Sequence, residues 1–180
     1  DSKSSTLVKM YLGGEFGKNA DDVNAYAAGA FYAVDRFASY KLDWGKDYEN
    51  GTLILADRYA TSNSIYQMEK IDEDKWDEYL DWSADFEYNK IGIPRPDLVI
   101  FLDMPVDVLL KRIIGTSGLN YYESGCDMGF STDFYKSFEI YQNKCLAQYN
   151  KMAEEYGFIK IDGTKPIDEV HKIIMSELQK

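Results

Sequence analysis

The sequence predicts a doubly wound α/β fold, in which helices cover both faces of a parallel sheet. Three short apolar runs support this prediction, at residues 53–56, 98–102 and 158–161. The first two are apolar at every position, as parallel strands are when helices bury both of their faces. Segments with helical spacing separate the three runs, and this alternation is typical of a parallel sheet.

Two helices precede the first predicted strand. Residues 4–12 carry apolar side chains at helical spacing, and the glycines that follow them end this helix. A longer helix is predicted over residues 21–42, with Asn19 or Asp21 as its cap. Its predicted core stripe consists of Val23, Ala27, Ala30, Val34 and Phe37.

The opposite side of the long helix carries Gly29, Tyr32 and Arg36 at positions i, i+3 and i+7. A solvated back face would hold a tyrosine and an arginine equally well. The small residue Ala28 lies beside them, however, so this side leaves room for a close approach. Whether it binds a ligand or only water stays open at this point.

Polar and charged side chains follow the first predicted strand directly. Asp57 and Arg58 stand at its carboxyl end, which is where an open α/β sheet places its ligand-binding groups. The next segment, if helical, brings Tyr59, Asn63 and Tyr66 onto one face. The alternative is structural: Asp57 would cap that helix and pair with Arg58.

The second half of the chain continues the alternation. A helix is predicted from Asp72 to about Gly92, and the Pro-Arg-Pro-Asp segment after it forces an extended backbone into the second strand. Helices follow over residues 106–114 and 132–156. Pro166 opens the last helix at a first helical position. Four residues of that helix are expected to face inward: Ile167, Val170, Ile174 and Leu178.

Residues 115–131 have no apolar period and are rich in Gly, Ser, Asn and Tyr. A loop of this length inside a domain predicts a mobile lid, and Cys126 would then be an exposed thiol.

Charge and composition exclude several classes of protein. The net charge of −11 repels nucleic-acid polymers, so any phosphorylated ligand must be small and must meet local basic groups. One histidine and two cysteines argue against a zinc site, a disulfide framework and a Ser-His-Asp site. No stretch approaches the ~20 apolar residues of a membrane span. The sequence therefore predicts one cytoplasmic domain over residues 1–180.

Four blocks of the sequence, in order, resemble the thymidylate kinases. The blocks are Tyr11-Leu-Gly-Gly-Glu-Phe-Gly17, Phe31-Tyr-Ala-Val-Asp-Arg36, Ala56-Asp-Arg-Tyr-Ala-Thr-Ser-Asn63 and Pro96-Asp-Leu-Val-Ile-Phe-Leu-Asp103. The resemblance implies a three-layer P-loop kinase fold with a lid. It also implies a homodimer that transfers the γ-phosphoryl group of ATP to dTMP, giving dTDP, with Mg²⁺ accompanying ATP.

The resemblance assigns roles at matching positions. Arg58 would hold the substrate phosphate, and Asp57 would lie near Mg²⁺ and the phosphates; both are the expected catalytic residues. A planar guanidinium suits a phosphate, and phosphoryl transfer needs mainly positioning and charge stabilisation. For dTMP, the expected binding residues are Tyr32 (stacked on thymine), Arg36, Arg58, Tyr59, Asn63 (at the base) and Tyr66 (under the deoxyribose). Arg112 and Thr164 are assigned to the ATP side.

The chain departs from the family pattern at three places. It contains no Gly-x-x-x-x-Gly-Lys-Ser/Thr loop, and it starts at Asp1 without a methionine. We therefore expect the first strand of the fold and its phosphate loop to be missing from these 180 residues, which alone would be inactive. No Lys or Arg lies between Arg112 and Lys136, so the lid supplies no cation. Residues 127–130 lack the second carboxylate often found after the lid.

Two alternative functions remain on this scaffold. A deoxynucleoside kinase also carries an acidic residue and an arginine after a strand, but its substrate has no phosphate. The two arginines expected near the phosphate, Arg36 and Arg58, favour a monophosphate acceptor. The other alternative is a non-catalytic nucleotide-binding relative that has lost its P-loop.

Overall fold

The computed structural model describes residues 2–115, 118–119 and 124–180. The chain divides into two compact units, Asp1–Arg95 and Pro96–Lys180. Within the described residues no helix combines the length and the apolar character needed to cross a lipid bilayer.

The first unit is helical. Its α-helices are α1 (Thr6–Leu12), α2 (Ala25–Ser39), α3 (Gly45–Glu49), α4 (Ala60–Met68) and α5 (Trp76–Ala84). A π-helical segment follows α2 at Tyr40–Trp44 and α5 at Asp85–Ile91, and short 3-10 turns lie at Lys3–Ser5, Ala20–Asp22 and Glu73–Lys75.

Helix α2 begins later than the sequence predicted. Val23 is extended, and the Asn24 side chain accepts a hydrogen bond from the Ala27 N–H at 2.8 Å, which makes Asn24 the cap. Asn19 and Asp22 instead cap the preceding 3-10 turn. The prediction of Asn19 or Asp21 as the cap was therefore wrong, because an extended residue separates that turn from the helix.

The buried side of α2 also differs from the predicted core stripe. The residues that are buried are Ala25, Ala28, Gly29 and Ala33, whereas Val34 is exposed. Small side chains let α2 approach α4 and α5 closely: a Cβ on Gly29 would lie 2.7 Å from the Tyr79 hydroxyl. Close packing of small residues, rather than burial of the largest ones, sets the orientation of this helix.

The first predicted strand does not form. Residues 53–56 are irregular, and Leu53 and Leu55 are 77% and 90% exposed. A strand requires backbone partners, and no described residue forms a ladder with this segment. The expectation of a buried strand here was wrong, although the apolar pattern that suggested it is present.

The second unit contains a two-stranded parallel sheet. Strand β1 (Ile100–Asp103) pairs with β2 (Ile159–Asp162), in the register that opposes Asp103 to Asp162. The second and third apolar runs were both predicted to be strands of a parallel sheet, and here they form strands that pair in parallel. The helices of this unit are α6 (Val106–Ile114), α7 (Phe134–Tyr156) and α8 (Ile167–Glu177), and a 3-10 turn lies at Cys126–Met128.

Helices α6 and α7 form where the sequence predicted them, because their ends carry clear signals. The Asp133 carboxylate caps α7 by accepting from the Tyr135 and Lys136 N–H groups, and Gly157 ends it with a φ of 70°. Helix α8 also forms, but Ile167 is 87% exposed and Leu178 is exposed too. Both were expected to face inward; a two-stranded sheet is too narrow to bury a whole helical face.

The described end of the predicted lid is packed. Ser124 and Cys126 are buried, and a Cβ on Gly125 would lie 2.8 Å from the Tyr141 ring of α7. Cys126 is thus a buried thiol and not the exposed one expected, because this end of the loop folds onto α7. Residues 116–117 and 120–123 lie outside the described part of the chain, and the lid itself stays a prediction.

Burial of both thiols predicts slow chemical modification. We expect Cys126 and Cys145 in the native protein to react with an aromatic disulfide reagent at least about tenfold more slowly than in urea, since reaction requires local opening. The absorbance of the released aromatic thiolate measures the rate of this reaction. The variant Cys126→Ser separates the two thiols, and a rapid phase that it removes would contradict the burial of Cys126.

Candidate functional site

An ion pair in the interior of the first unit joins α2 to the π-helical segment after α5. The Arg36 guanidinium donates from Nε to Glu87 Oε2 at 2.7 Å and from Nη2 to Oε1 at 2.6 Å. Glu87 is 1% exposed. A bidentate pair of this kind fixes both the position and the plane of the guanidinium.

Helix α4 contributes Asn63 to the same cluster. Its Nδ2 donates to the Gly29 carbonyl at 3.1 Å and to Glu87 Oε1 at 3.2 Å. Asn63 is 7% exposed, and its Oδ1 accepts no hydrogen bond from any described residue. A buried acceptor without a donor costs about 1–3 kcal/mol, so this atom is suited to a ligand that brings a donor.

Arg58 lies just before α4 in an unusual backbone conformation. Its φ of 68° is the one positive value at a non-glycine residue in the described chain. The guanidinium lies over the Tyr66 ring, 4.7 Å from its centroid, and Nε donates to Ser62 Oγ at 3.3 Å. The left-handed backbone costs of the order of 1–3 kcal/mol, which is typical of functional sites. The Nη atoms donate to no described residue and remain available.

The phenol of Tyr32 is within electrostatic reach of both arginines. Burial raises the pKa of this phenol above 10.0, and the positive charges of Arg58 and Arg36 partly oppose this shift. Both guanidinium groups are therefore close enough to act on one hydroxyl. Tyr32 also packs edge-on against Tyr11, with ring centroids 6.3 Å apart. The first unit thus brings together Tyr32, Arg36, Arg58, Asn63 and Tyr66.

Asp57 and Tyr59 are placed differently from one another. Asp57 is exposed, and its carboxylate neither caps α4 nor pairs with Arg58 in the described structure. The structural alternative for this residue is therefore wrong. Tyr59 is extended and precedes α4, so helical phase does not apply to it. Its hydroxyl donates to the Pro94 carbonyl at 3.0 Å, and its part in dTMP binding stays a prediction.

The second unit brings Arg112 and Thr164 together. Arg112 donates to the carbonyls of Gly163, at 3.2 Å, and of Thr164, at 3.4 Å. The Thr164 hydroxyl donates to Asp162 Oδ1 at 2.6 Å, and this hydrogen bond lowers the pKa of Asp162. The two residues assigned to the ATP side are thus neighbours at the end of β2.

Comparison with known proteins decides the family. The sequence model described as thymidylate kinase matches residues 12–174. The chain belongs to the thymidylate kinase family.

Relatives within the family are distant. A probable thymidylate kinase of Thermococcus gammatolerans is 30% identical over 128 residues, covering 71% of this chain and 51% of that protein. The Thermococcus onnurineus relative of that name is 28% identical over 151 residues, with 83% and 63% covered. The Pyrococcus horikoshii one is 27% identical over 177 residues, with 98% and 76% covered. The chain therefore spans between half and two thirds of the first two relatives.

Family membership did not point to Glu87, which sequence reasoning missed. A signal was present in the helical phase: Leu80, Ser83 and Glu87 follow at i, i+3 and i+7, and the first two are buried. An acidic residue on the buried side of a helix requires a partner. That requirement would have linked Glu87 to one of the four arginines.

The tyrosines around Glu87 predict a loss of stability at alkaline pH. Burial and the Glu87 charge raise the pKa of Tyr79 above 10.0 and that of Tyr88 to about 12. The unfolded state then loses these protons first, so the free energy of unfolding falls as pH rises from 10 towards 12. Urea unfolding at several pH values measures it. The variant Tyr88→Phe should show a smaller fall, and an unchanged fall would contradict the shift at Tyr88.

Proposed function

We propose that the protein is a dTMP kinase that transfers the γ-phosphoryl group of ATP to dTMP, giving dTDP. The observation that carries this proposal is Arg58: its guanidinium is held on Tyr66 and its two Nη atoms donate to no described residue, while Asn63 in the same unit has an acceptor without a donor. Family membership supports the same reaction. A monophosphate is the ligand that a planar, exposed guanidinium binds best.

The phosphate of dTMP is assigned to Arg58 rather than shared between two arginines. Arg36 already pairs its charge with the buried Glu87 carboxylate through Nε and Nη2, whereas Arg58 has no carboxylate partner among the described residues. The Nη1 of Arg36 is left to donate to the nucleoside. Asn63 Oδ1 supplies an acceptor, Tyr32 an aromatic surface for the base, and Tyr66 a ring under the sugar.

In the reaction an oxygen of the dTMP phosphate attacks the γ-phosphorus, and the bond to the β,γ-bridging oxygen breaks to release ADP. Arg58 would hold the attacking phosphate in line and offset its charge. Mg²⁺ accompanying ATP would neutralise phosphate charge. No group of three metal-ligating side chains occurs in the described residues, but Mg²⁺ usually takes one or two carboxylates and keeps phosphate and water ligands. The exposed carboxylate of Asp57 suits that role.

The ATP side is less complete within these residues. Arg112 and Thr164 are proposed to lie near the adenine nucleotide, but the 180 residues contain no Gly-rich phosphate loop. The second candidate is a nucleotide-binding relative without catalysis. We also propose a homodimer in the cytoplasm with a lid over residues 115–131; sedimentation with and without nucleotide tests the oligomer.

Calorimetric titration of the full chain tests the acceptor. We expect dTMP to bind, and thymidine and the ribonucleotide to bind at least about tenfold more weakly, because one lacks the phosphate for Arg58 and the other carries a 2′-hydroxyl over Tyr66. Equal binding of thymidine would favour the deoxynucleoside kinase. Failure to bind any of them would reject the proposal.

A coupled assay for ADP formation with ATP, Mg²⁺ and dTMP tests catalysis. The 180 residues alone are expected to bind dTMP without turnover, and a chain that also carries a Gly-rich phosphate loop is expected to turn over. Binding without turnover in both chains would support the non-catalytic relative. Turnover by the 180 residues alone would show that ATP is held in another way.

A further inference from the structure

Glu87 is the most deeply buried carboxylate of the candidate site, and the reaction itself does not use it. We propose that Glu87 is a positioning residue that sets the hydrogen-bonding polarity of the base pocket, with a donor at Arg36 and an acceptor at Asn63. The inference rests on the proposed function for its ligand. The orientation of Arg36 and Asn63 by Glu87 does not depend on which ligand binds.

The orientation of the Asn63 amide follows from its neighbours. A carboxylate oxygen and a backbone carbonyl can only accept hydrogen bonds. The end of Asn63 that contacts Glu87 Oε1 and the Gly29 carbonyl must therefore be the NH₂ group, as observed. Oδ1 is left as the atom presented to a ligand, and in the described structure it accepts no hydrogen bond. A flipped amide would place Oδ1 against two acceptors.

The same carboxylate fixes the neighbouring donor. Glu87 Oε1 accepts both from Arg36 Nη2 and from Asn63 Nδ2, so the two side chains meet at one oxygen. Arg36 Nη1 donates to no described residue, so the same cluster leaves one donor, on Arg36, and one acceptor, Asn63 Oδ1, for a ligand. The guanidinium cannot turn within its plane or tilt out of it without losing one of its two hydrogen bonds to Glu87.

The backbone holds Glu87 in place as well. Its carbonyl accepts from the N–H groups of Gly92 and Ile93, both at 3.1 Å, at the end of the π-helical segment. Gly92 has a φ of 79°, which closes this turn. π-Helical turns are frequent at functional sites. Here the turn directs a carboxylate towards two other helices.

A donor next to an acceptor selects one kind of pyrimidine edge. Thymine and uracil present a carbonyl oxygen next to an N–H, which pairs with Arg36 and Asn63. Cytosine presents an amino group next to an unprotonated ring nitrogen, which places donor against donor and acceptor against acceptor. Discrimination against cytosine should therefore depend on Glu87, although Glu87 does not touch the base.

The decisive variant is Glu87→Gln, which keeps the shape and removes the charge. Its amide can donate as well as accept, so Asn63 is no longer held in one orientation. We expect the ratio of dCMP to dTMP dissociation constants to fall about 10- to 100-fold. The matched control is Glu49→Gln, which removes a carboxylate bonded to Tyr40 in the same unit and should leave the ratio unchanged.

A second variant covers the case in which Glu87→Gln does not fold. Glu87→Asp keeps the charge but is one methylene shorter, so its carboxylate cannot hold Arg36 and Asn63 in the same geometry. It should lower the same ratio with less loss of stability. In addition, the loss of discrimination in Glu87→Gln combined with Asn63→Ala should be smaller than the sum of the two single losses, because part of the effect of Glu87 passes through Asn63. Fully additive losses would overturn the proposal.

A readout without nucleotide separates this inference from the proposed function. The side-chain NH₂ protons of Asn63, followed by NMR, should exchange with water at least about tenfold faster in Glu87→Gln than in the parent chain. Unchanged exchange would overturn the positioning role whether or not dTMP binds. Faster exchange in a chain that does not bind dTMP would instead retain the positioning role and reject the kinase.

Discussion

Replacing Arg58 with alanine should weaken dTMP binding by roughly 100-fold. A hydrogen bond to a charged group contributes about 1.5–3 kcal/mol, and a factor of 100 corresponds to about 2.7 kcal/mol. Alanine carries a Cβ as arginine does, so the strain of the left-handed backbone at this position is the same in both chains. The difference therefore reports the guanidinium. Calorimetric titration of dTMP and thymidine measures it.

Thymidine and Arg95 provide the controls for this prediction. Thymidine has no phosphate, so its affinity should change by less than that of dTMP. Arg95 lies over the Tyr88 ring, 4.4 Å from its centroid, and resembles Arg58 in its stacking but not in its neighbours. Arg95→Ala should leave dTMP binding almost unchanged. An equal loss for both ligands, or for both variants, would contradict the assignment of the phosphate to Arg58.

Replacing Gly29 with valine should destabilise the first unit by about 2–3 kcal/mol. A Cβ at this position would lie 2.7 Å from the Tyr79 hydroxyl, and Tyr79 is fully buried and donates to the Ala25 carbonyl. Overpacking of this kind costs about 1–3 kcal/mol, whereas the gain in helix propensity from glycine to valine is only a few tenths. Thermal unfolding should show a Tm lower by roughly 4–12 °C.

Gly115→Val is the matched control for Gly29→Val. A Cβ on Gly115 would have ordinary contacts, the nearest at 3.4 Å, and its φ of −73° suits any residue. Its Tm should change by much less. The Gly29 variant should also lose dTMP affinity, because its carbonyl holds Asn63. A stable Gly29→Val would show that α2 and α5 can separate without cost.

Elements with strong local signals could be predicted from the sequence. Helix α7 carries an Asp133 cap and a terminal glycine, helix α6 begins after Pro105 and ends at Gly115, and strands β1 and β2 form at the second and third apolar runs. The stretch from Arg58 to Tyr66 was identified as the centre of the candidate site for the same reason, since its charged and polar residues follow one another closely. The role of these residues in binding stays a prediction.

Features that depend on distant partners could not be predicted in this way. The run at 53–56 has the composition of a strand, but strand formation also requires a neighbouring strand. The phase of α2 depends on how closely Gly29 lets other helices approach, and apolarity alone favoured Val34 as core. Glu87 bonds to Arg36, which lies 51 positions away along the chain, and to Asn63, which lies 24 positions away. Helical phase can show that Glu87 needs a partner but cannot identify that partner.

The exposed leucines at 53 and 55 give the protein a particular behaviour in solution. They flank Ile54 in a stretch that pairs with no strand of the described chain, and exposed apolar residues with unpaired backbone groups favour association between chains. The net charge of −11 opposes that association at a distance. Electrostatic repulsion reaches about 10 Å at 0.1 M salt but only about 3 Å at 1 M. The protein should thus stay monodisperse in dilute buffer, and concentrated salt should promote association through residues 53–55.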